Sequence, residues 1–361
     1  MKILVLGTSN SILKGGWLDG LREAMPKTTI LNASVGASPG TQFAAWLRRP
    51  LADFDAIIHE TVINDENLAR FVGDQDFFDR IMFETLSSLS SRSRLIVLGF
   101  TNQRFLDSES PTYRQRRNMT FAAGGEFVGF REMVAAEADR LTTRNGSIFL
   151  DDRHFALPVA FSLGGALARA IKADRIKPAS ATAEDFAENY AVSDCATLDG
   201  RIETRSNSLV NERFLCLREG QSIAADPTQL LLGVHINASQ TSCTLRLHRP
   251  DGSHDDLFLG YTLEDKIFTR FVPITGGVRA TRIEVLAEIS AQKAPHSLGK
   301  LARPGEGYLE IGKLVYRKPF AAAPPALPDM PPAPPSALHL MTEQHFRSEI
   351  ERSQQVRPVN P

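Results

Sequence analysis

The chain has 361 residues, 42% hydrophobic and 23% charged, with a formal net charge of −1. That balance excludes a disordered or fibrous chain and gives no electrostatic reason to expect nucleic acid or an anionic membrane as a partner. The length exceeds one comfortable core and points to two domains.

Lys2–Leu6 reads as a first strand and Leu18–Met25 as a helix. Thr29–Leu31 and Ala56–His59 read as the second and third strands, Phe78–Ser91 has helical spacing, and Leu95–Phe100 is a fourth strand. The pattern predicts a long helix over Phe127–Thr143 and a closing strand at Ser147–Leu150. Short apolar runs alternating with amphipathic segments imply a parallel sheet covered on both faces. Ligands of such sheets sit beyond the carboxyl ends of the strands.

The texture changes near residue 176. Residues 176–199 are small and polar and read as a linker, after a first domain at 1–175. Residues 200–318 favour strands separated by turn signals such as "RPDGS" and "PITGG", which predicts a β-sandwich of jelly-roll type. Residues 319–361 read as a proline-rich tail, extended over 319–336. Ala337–Gln355 shows a thin apolar stripe of Leu338, Met341 and Ile350, which predicts at most a short, frayed helix. Cys195, Cys216 and Cys243 form neither a disulfide framework nor a metal spacing. With no signal-peptide pattern after Met1-Lys2 and no membrane-spanning run, the expected compartment is the cytoplasm.

Four stretches of the first domain belong together. Gly7-Thr8-Ser9 ends the first strand, and "NASVGASPG" places Asn32, Gly36 and Gly40 after the second. "IIHETVINDEN" runs from the third strand into Asn64-Asp65, and "FLDDRHF" sets Asp151 three residues before His154. All four follow apolar runs and are expected on one edge of the sheet. A serine hydroxyl needs a base, which His154 supplies if Asp151 holds its ring in the right tautomer. The oxyanion needs donors: the Ser9 and Gly36 N–H groups and the Asn64 amide.

Each residue also has a plainer reading. Ser9 would suit a helix N-cap, His154 a structural histidine, Asn64 an Asx turn, and Gly36 a simple turn. For Gly40 the turn is preferred. His59 lies inside a strand and reads as core. Glu60 and Asp65 beside it have no metal-ligand spacing, so no metal is expected. Phe258, Tyr261, Phe268 and Phe271 read as strand-face core before they read as a sugar site.

Together the blocks resemble the SGNH (GDSL-like) hydrolase superfamily, a divergent member over residues 1–175. The family's nucleophile, glycine, asparagine and Asp-x-x-His read here as Ser9, Gly36, Asn64, and Asp151 with His154. The family's Gly-Asp-Ser is Gly7-Thr8-Ser9, and Val62 stands where a glycine usually precedes the asparagine by two. The resemblance implies a flavodoxin-like three-layer α/β/α domain and acyl-ester chemistry through an acyl-enzyme on Ser9.

The expected function is a serine esterase removing an O-acyl group, acetyl first, from a carbohydrate or similar polar conjugate. An O-acyltransferase with the same triad is the alternative, and would draw on a donor such as acetyl-CoA; the esterase needs no cofactor. A non-catalytic glycan-binding or scaffold protein is the third reading. The expected partner is a carbohydrate or small-molecule acyl ester, not nucleic acid or membrane.

Overall fold

The computed structural model describes every residue except 69–73, 175–178, 208–210, 261–266, 288–306, 321–333 and 356–361. Five strands form a parallel sheet: β1 (Lys2–Leu6), β2 (Thr29–Asn32), β3 (Ala56–His59), β4 (Arg94–Leu98) and β5 (Glu126–Val128). Their order is β2-β1-β3-β4-β5, the flavodoxin-like one. Because side chains alternate across a strand, each strand feeds two cores. Ile3, Val5, Ile58, Ile96 and Leu98 face one, and Leu4, Leu6, Ile57, Leu95 and Val97 face the other.

Helices cover both faces. α1 (Trp17–Ala24), α5 (Phe130–Ala136), α6 (Ala138–Asn145) and α7 (Leu157–Ala173) pack on the first core. α3 (Gln75–Arg92) and α4 (Pro111–Ala122) pack on the second, and α2 (Val62–Leu68) lies at the carboxyl edge, directly after β3. The long helix expected over 127–143 is instead β5 followed by two helices. Phe127 pairs with Val97 in the sheet, and the helical run breaks at Glu137, which leaves helical geometry at φ −113° and ψ 15°.

The closing strand is also corrected. β6 (Phe149–Asp151) does not join the parallel sheet but pairs with β7 (His154–Phe155) in a hairpin of its own. Three helices were not anticipated: α2, α4 and α7, whose polar or evenly apolar sequences carry weak periodicity.

Ten antiparallel strands follow: β8 (Tyr190–Asp194), β9 (Arg201–Ser206), β10 (Asn211–Arg218), β11 (Ser222–Ala224) and β12 (Leu230–Asn237), then β13 (Ser242–His248), β14 (His254–Gly260), β15 (Thr269–Val278), β16 (Arg282–Leu286) and β17 (Tyr308–Arg317). They hydrogen-bond into one sheet that curls over a third core containing Leu215, Val234, Leu245, Val285 and Leu309. The fold is thus an α/β/α layer structure followed by an antiparallel β part. β8, within the stretch expected to be linker, pairs with β17, and its first residue Tyr190 and the preceding Phe186 and Ala187 are buried.

The tail differs most from expectation. Ala337–Gln355 is a single helix, α8, whose Leu338, Phe346 and Ile350 are each at most 1% exposed in the first core. The proline-rich reading falls largely on 321–333, outside the described residues. Among the described residues no helix is long and apolar enough to cross a membrane.

Candidate active site

Parallel strands end on one edge, so the loops after β1, β2 and β3 meet there. After β1 the chain makes a 3-10 turn, Ser9–Ser11, which leaves Ser9 partly exposed while Thr8, Asn10 and Ser11 are buried. Gly7 is required by close approach: a Cβ there would sit 2.1 Å from Ser11 Oγ. The Gly7 N–H donates to Ser34 Oγ at 3.0 Å, and Asn32 Nδ2 to the Ser11 carbonyl at 2.8 Å. Those bonds tie the first loop to the second.

Ser9 Oγ lies 2.7 Å from His154 Nε2. His154 Nδ1 lies 2.9 and 2.8 Å from the two Asp151 carboxylate oxygens. The hairpin explains the Asp-x-x-His spacing, because Asp151 and His154 are register partners across the β6–β7 pair. An ionised carboxylate only accepts hydrogen bonds. The Nδ1 nitrogen therefore carries the proton, and Nε2 is left to accept from the serine. Partial burial alone would raise the Asp151 pKa. Hydrogen bonds from the His154 ring and from the Arg153 and His154 N–H groups outweigh it and hold the carboxyl below its usual range.

Asn64 sits in the first turn of α2 rather than in a loop, which removes the Asx-turn reading. One hydrogen of its amide donates to the Ser38 carbonyl at 3.0 Å, and the second is left to give. Gly36 belongs to the same loop as Ser38, and the next residue, Ala37, has φ 52°. That left-handed conformation strains a residue with a Cβ, and such strain gathers at functional loops. The N–H groups of Ser9, Gly36 and Ala37 have no hydrogen-bond partner among the described residues.

The residue that the motif reading passes over is Glu60. It is fully buried and accepts from Thr8 N–H at 3.0 Å, from Thr8 Oγ1 at 3.0 and 3.1 Å, and from Ser11 Oγ at 2.8 Å. Both side chains it grips flank Ser9. Burial pushes its pKa up to about 7, against the pull of those hydrogen bonds. The available signal was a carboxylate placed directly after a buried strand that ends on the same edge as Ser9. Asp65 goes elsewhere, accepting from Arg116 Nε at 2.9 Å and from Gly40 N–H at 2.9 Å. Neighbours in sequence, Glu60 and Asp65 share no centre.

His59 is core, with its ring 5.5 Å from that of Phe43. Burial lowers its pKa to about 3, so it is neutral. Among the aromatics of the β part, Phe271 is wholly buried, as a core reading expects. Phe268 is half-buried: it packs on the third core and also faces the Gly36 loop, its ring 3.5 Å from where a Gly36 Cβ would stand. Tyr261 lies outside the described residues. Among the described residues no group of three His, Cys, Asp or Glu side chains is arranged to hold a metal.

No protein-family model matches the sequence, and no curated protein matches it. Solved structures do. A two-domain esterase (CEX) active on acetylated mannans superposes with a TM-score of 0.55 at 10% identity, covering 88% of this chain and 92% of its own. The same esterase co-crystallized with mannopentaose gives 0.54 at 10% identity, over 89% and 92%. At that identity the likeness is one of fold, and it extends through both the parallel and the antiparallel sheets.

Proposed function

Since the chain has the SGNH (GDSL-like) hydrolase fold, followed by an antiparallel β part, we propose that it is a serine esterase cleaving an O-acyl, chiefly acetyl, group from a carbohydrate. The observation that carries this is the continuous relay from Ser9 Oγ through His154 to Asp151, at 2.7 and 2.8 Å.

In this reading His154 Nε2 takes the serine proton as Ser9 Oγ attacks the ester carbonyl. The imidazolium that forms is stabilised by Asp151. The developing oxyanion is received by the Ser9 N–H, by the N–H groups of the Gly36–Ala37 segment and by the second Asn64 amide hydrogen. His154 then protonates the departing sugar oxygen, leaving an acyl-Ser9 ester. Water deprotonated by the same histidine attacks the acyl carbon and releases the acid. The carbohydrate part of the proposal leans on the two-domain likeness, since that neighbour acts on acetylated mannans.

A fluorophosphonate probe with peptide mapping tests the nucleophile: Ser9 is the expected labelled residue. Ser9→Ala should lower p-nitrophenyl acetate turnover by on the order of 10⁴ or more. Unchanged turnover in the purified variant would remove Ser9 from the mechanism. Free acetate released from an acetylated oligosaccharide distinguishes hydrolysis from transfer to a second sugar.

A further inference from the structure

Between the loop after β2 and the antiparallel sheet lies a cleft of about 960 Å³, at the upper end of small-molecule sites. An acyl group alone has no use for that space. Ile12, the residue directly after the Ser9–Ser11 turn, and Gly36 are among its lining. Trp46 and Phe268 supply aromatic wall, and Gln42 and His235 line it more deeply.

Those last two residues carry the inference. Gln42 is 1% exposed, and neither its amide oxygen nor its amide nitrogen has a partner among the described residues. His235 is 9% exposed, its ring is 5.0 Å from that of Phe271, and its Nε2 has no partner among the described residues either. Buried polar atoms in native proteins are nearly always satisfied, and an exception calls for a reason. Other buried polar atoms of the described residues are also unpartnered, Trp17 Nε1 and both His59 ring nitrogens among them, but Gln42 and His235 are the two such residues that line this cleft. Burial, aided by Lys313, lowers the His235 pKa to about 3, so the imidazole is neutral and offers one donor and one acceptor. A carboxamide likewise offers both. Sugar hydroxyls, each a donor and an acceptor, match such groups.

The charges at the rim favour a neutral ligand over an acidic one. Arg48 is paired with Glu188, Lys313 lies 3.9 Å from Glu212, and the Arg49 guanidinium stacks 4.1 Å from the centre of the Trp46 ring. We propose that this cleft binds the neutral polysaccharide segment that carries the ester, with Gln42 and His235 hydrogen-bonded to its hydroxyls and Trp46 and Phe268 against its rings. The delivery of the ester to Ser9 rests on the esterase reading; the binding itself does not.

The test is calorimetric titration of the full chain carrying Ser9→Ala, which binds without turnover. The probes are neutral pentasaccharides of β-1,4-linked mannose, glucose and xylose, with an oligogalacturonate of the same length as the charged arm. At least one neutral probe should bind. Adding Gln42→Met or His235→Phe should weaken it roughly fivefold to tenfold each, the loss of one or two hydrogen bonds. Gln42→Met keeps volume and His235→Phe enlarges the ring beside the open cleft, and both remove an unsatisfied polar group, so the melting temperature should hold or rise while binding falls. A merely structural role would lower both. Binding of the charged probe alone, of no probe, or with equal strength in both variants overturns the proposal. Hydrolysis of p-nitrophenyl acetate by the unmodified chain is scored separately. Its failure with sugar binding intact removes the esterase reading alone, and the reverse removes only the cleft.

Discussion

Glu60 holds a carboxyl group in a dry place with hydrogen bonds from both sides of the nucleophile turn, and its pKa of about 7 stands well above its ordinary 4.5. Between those two values the unfolded chain has released a proton that the folded chain keeps. Stability from this group is therefore lost as pH rises from about 4.5 to 7 and is level above that, a span on the order of 3 kcal/mol. Glu60→Gln should abolish that slope. Melting at pH 5 and pH 8 should show the variant gaining on the wild type at the higher pH, and a constant difference would mean the group does not titrate there. Asn64 is the second test at this scale. Asn64→Ala should lower kcat by about 10²–10³ with KM little changed, if its free amide hydrogen meets the oxyanion. Its bond to the Ser38 carbonyl adds a stability loss of about 1 kcal/mol. A fall in melting temperature with kcat unchanged would leave Asn64 a purely structural residue.

Among the elements, α8 shows how an apolar stripe can be misread. Its buried face runs Leu338, Thr342, Phe346 and Ile350, one residue every four, with a threonine in the middle. Thr342 is wholly buried because its hydroxyl donates to the Leu338 carbonyl one turn back, at 2.7 Å. Counted as polar, it breaks the stripe; satisfied within the helix, it continues it. Tethers confirm the docking: His339 Nδ1 accepts from Gly129 N–H at 3.0 Å, and Arg347 reaches Glu137 at 3.3 Å. Phe346→Ala should cost about 3–5 kcal/mol in urea unfolding, whereas a frayed tail would show no change. The β6–β7 hairpin is the opposite case. Its Asp-x-x-His spacing is local, so the sequence reading reaches the Asp151–His154 contact even though it misassigns the strand.

Across the whole molecule, the second core does not stop where the parallel sheet ends. Leu232, Phe271 and Val315 of the β part pack with Phe77, Phe78 and Leu86 of α3 in one cluster. Ser38 Oγ accepts from Phe271 N–H at 3.0 Å, and buried Arg317 donates to Glu84 at 2.7 and 2.9 Å. Tyr190 completes that group, its hydroxyl donating to Glu84 at 2.7 Å. Removing one partner of such a pair strands the other's charge at a cost of about 3–5 kcal/mol. A chain ended at residue 180 loses the arginine, the tyrosine, the apolar cover and α8 together. We expect it to be insoluble or to lack a cooperative unfolding transition in calorimetry. A soluble fragment that melts cooperatively would mean the first 180 residues fold alone.

Local patterns were enough for β1, β3 and β4, because burial on both faces demands continuous apolar runs whatever the surroundings, and they reached the half-exposed β2; the three-residue β5 was too short to stand out from the helix that follows it. They also pointed to Ser9, Gly36 and Asn64, since residues after such runs must gather at one edge, while Asp151 and His154 came from their local Asp-x-x-His spacing. What followed from contacts far apart in the chain stayed hidden. Glu60 matters only once Thr8 and Ser11, about fifty residues earlier, turn toward it. Gln42 and His235 look ordinary until folding buries both beside one cleft with the Gln42 amide and His235 Nε2 unpartnered. The sequence by itself determined which residues end the strands, because strand burial and spacing are local properties. Only the tertiary structure decided what lies opposite them, because the free energy of a buried carboxylate, amide or imidazole is set by neighbours that the chain supplies from elsewhere.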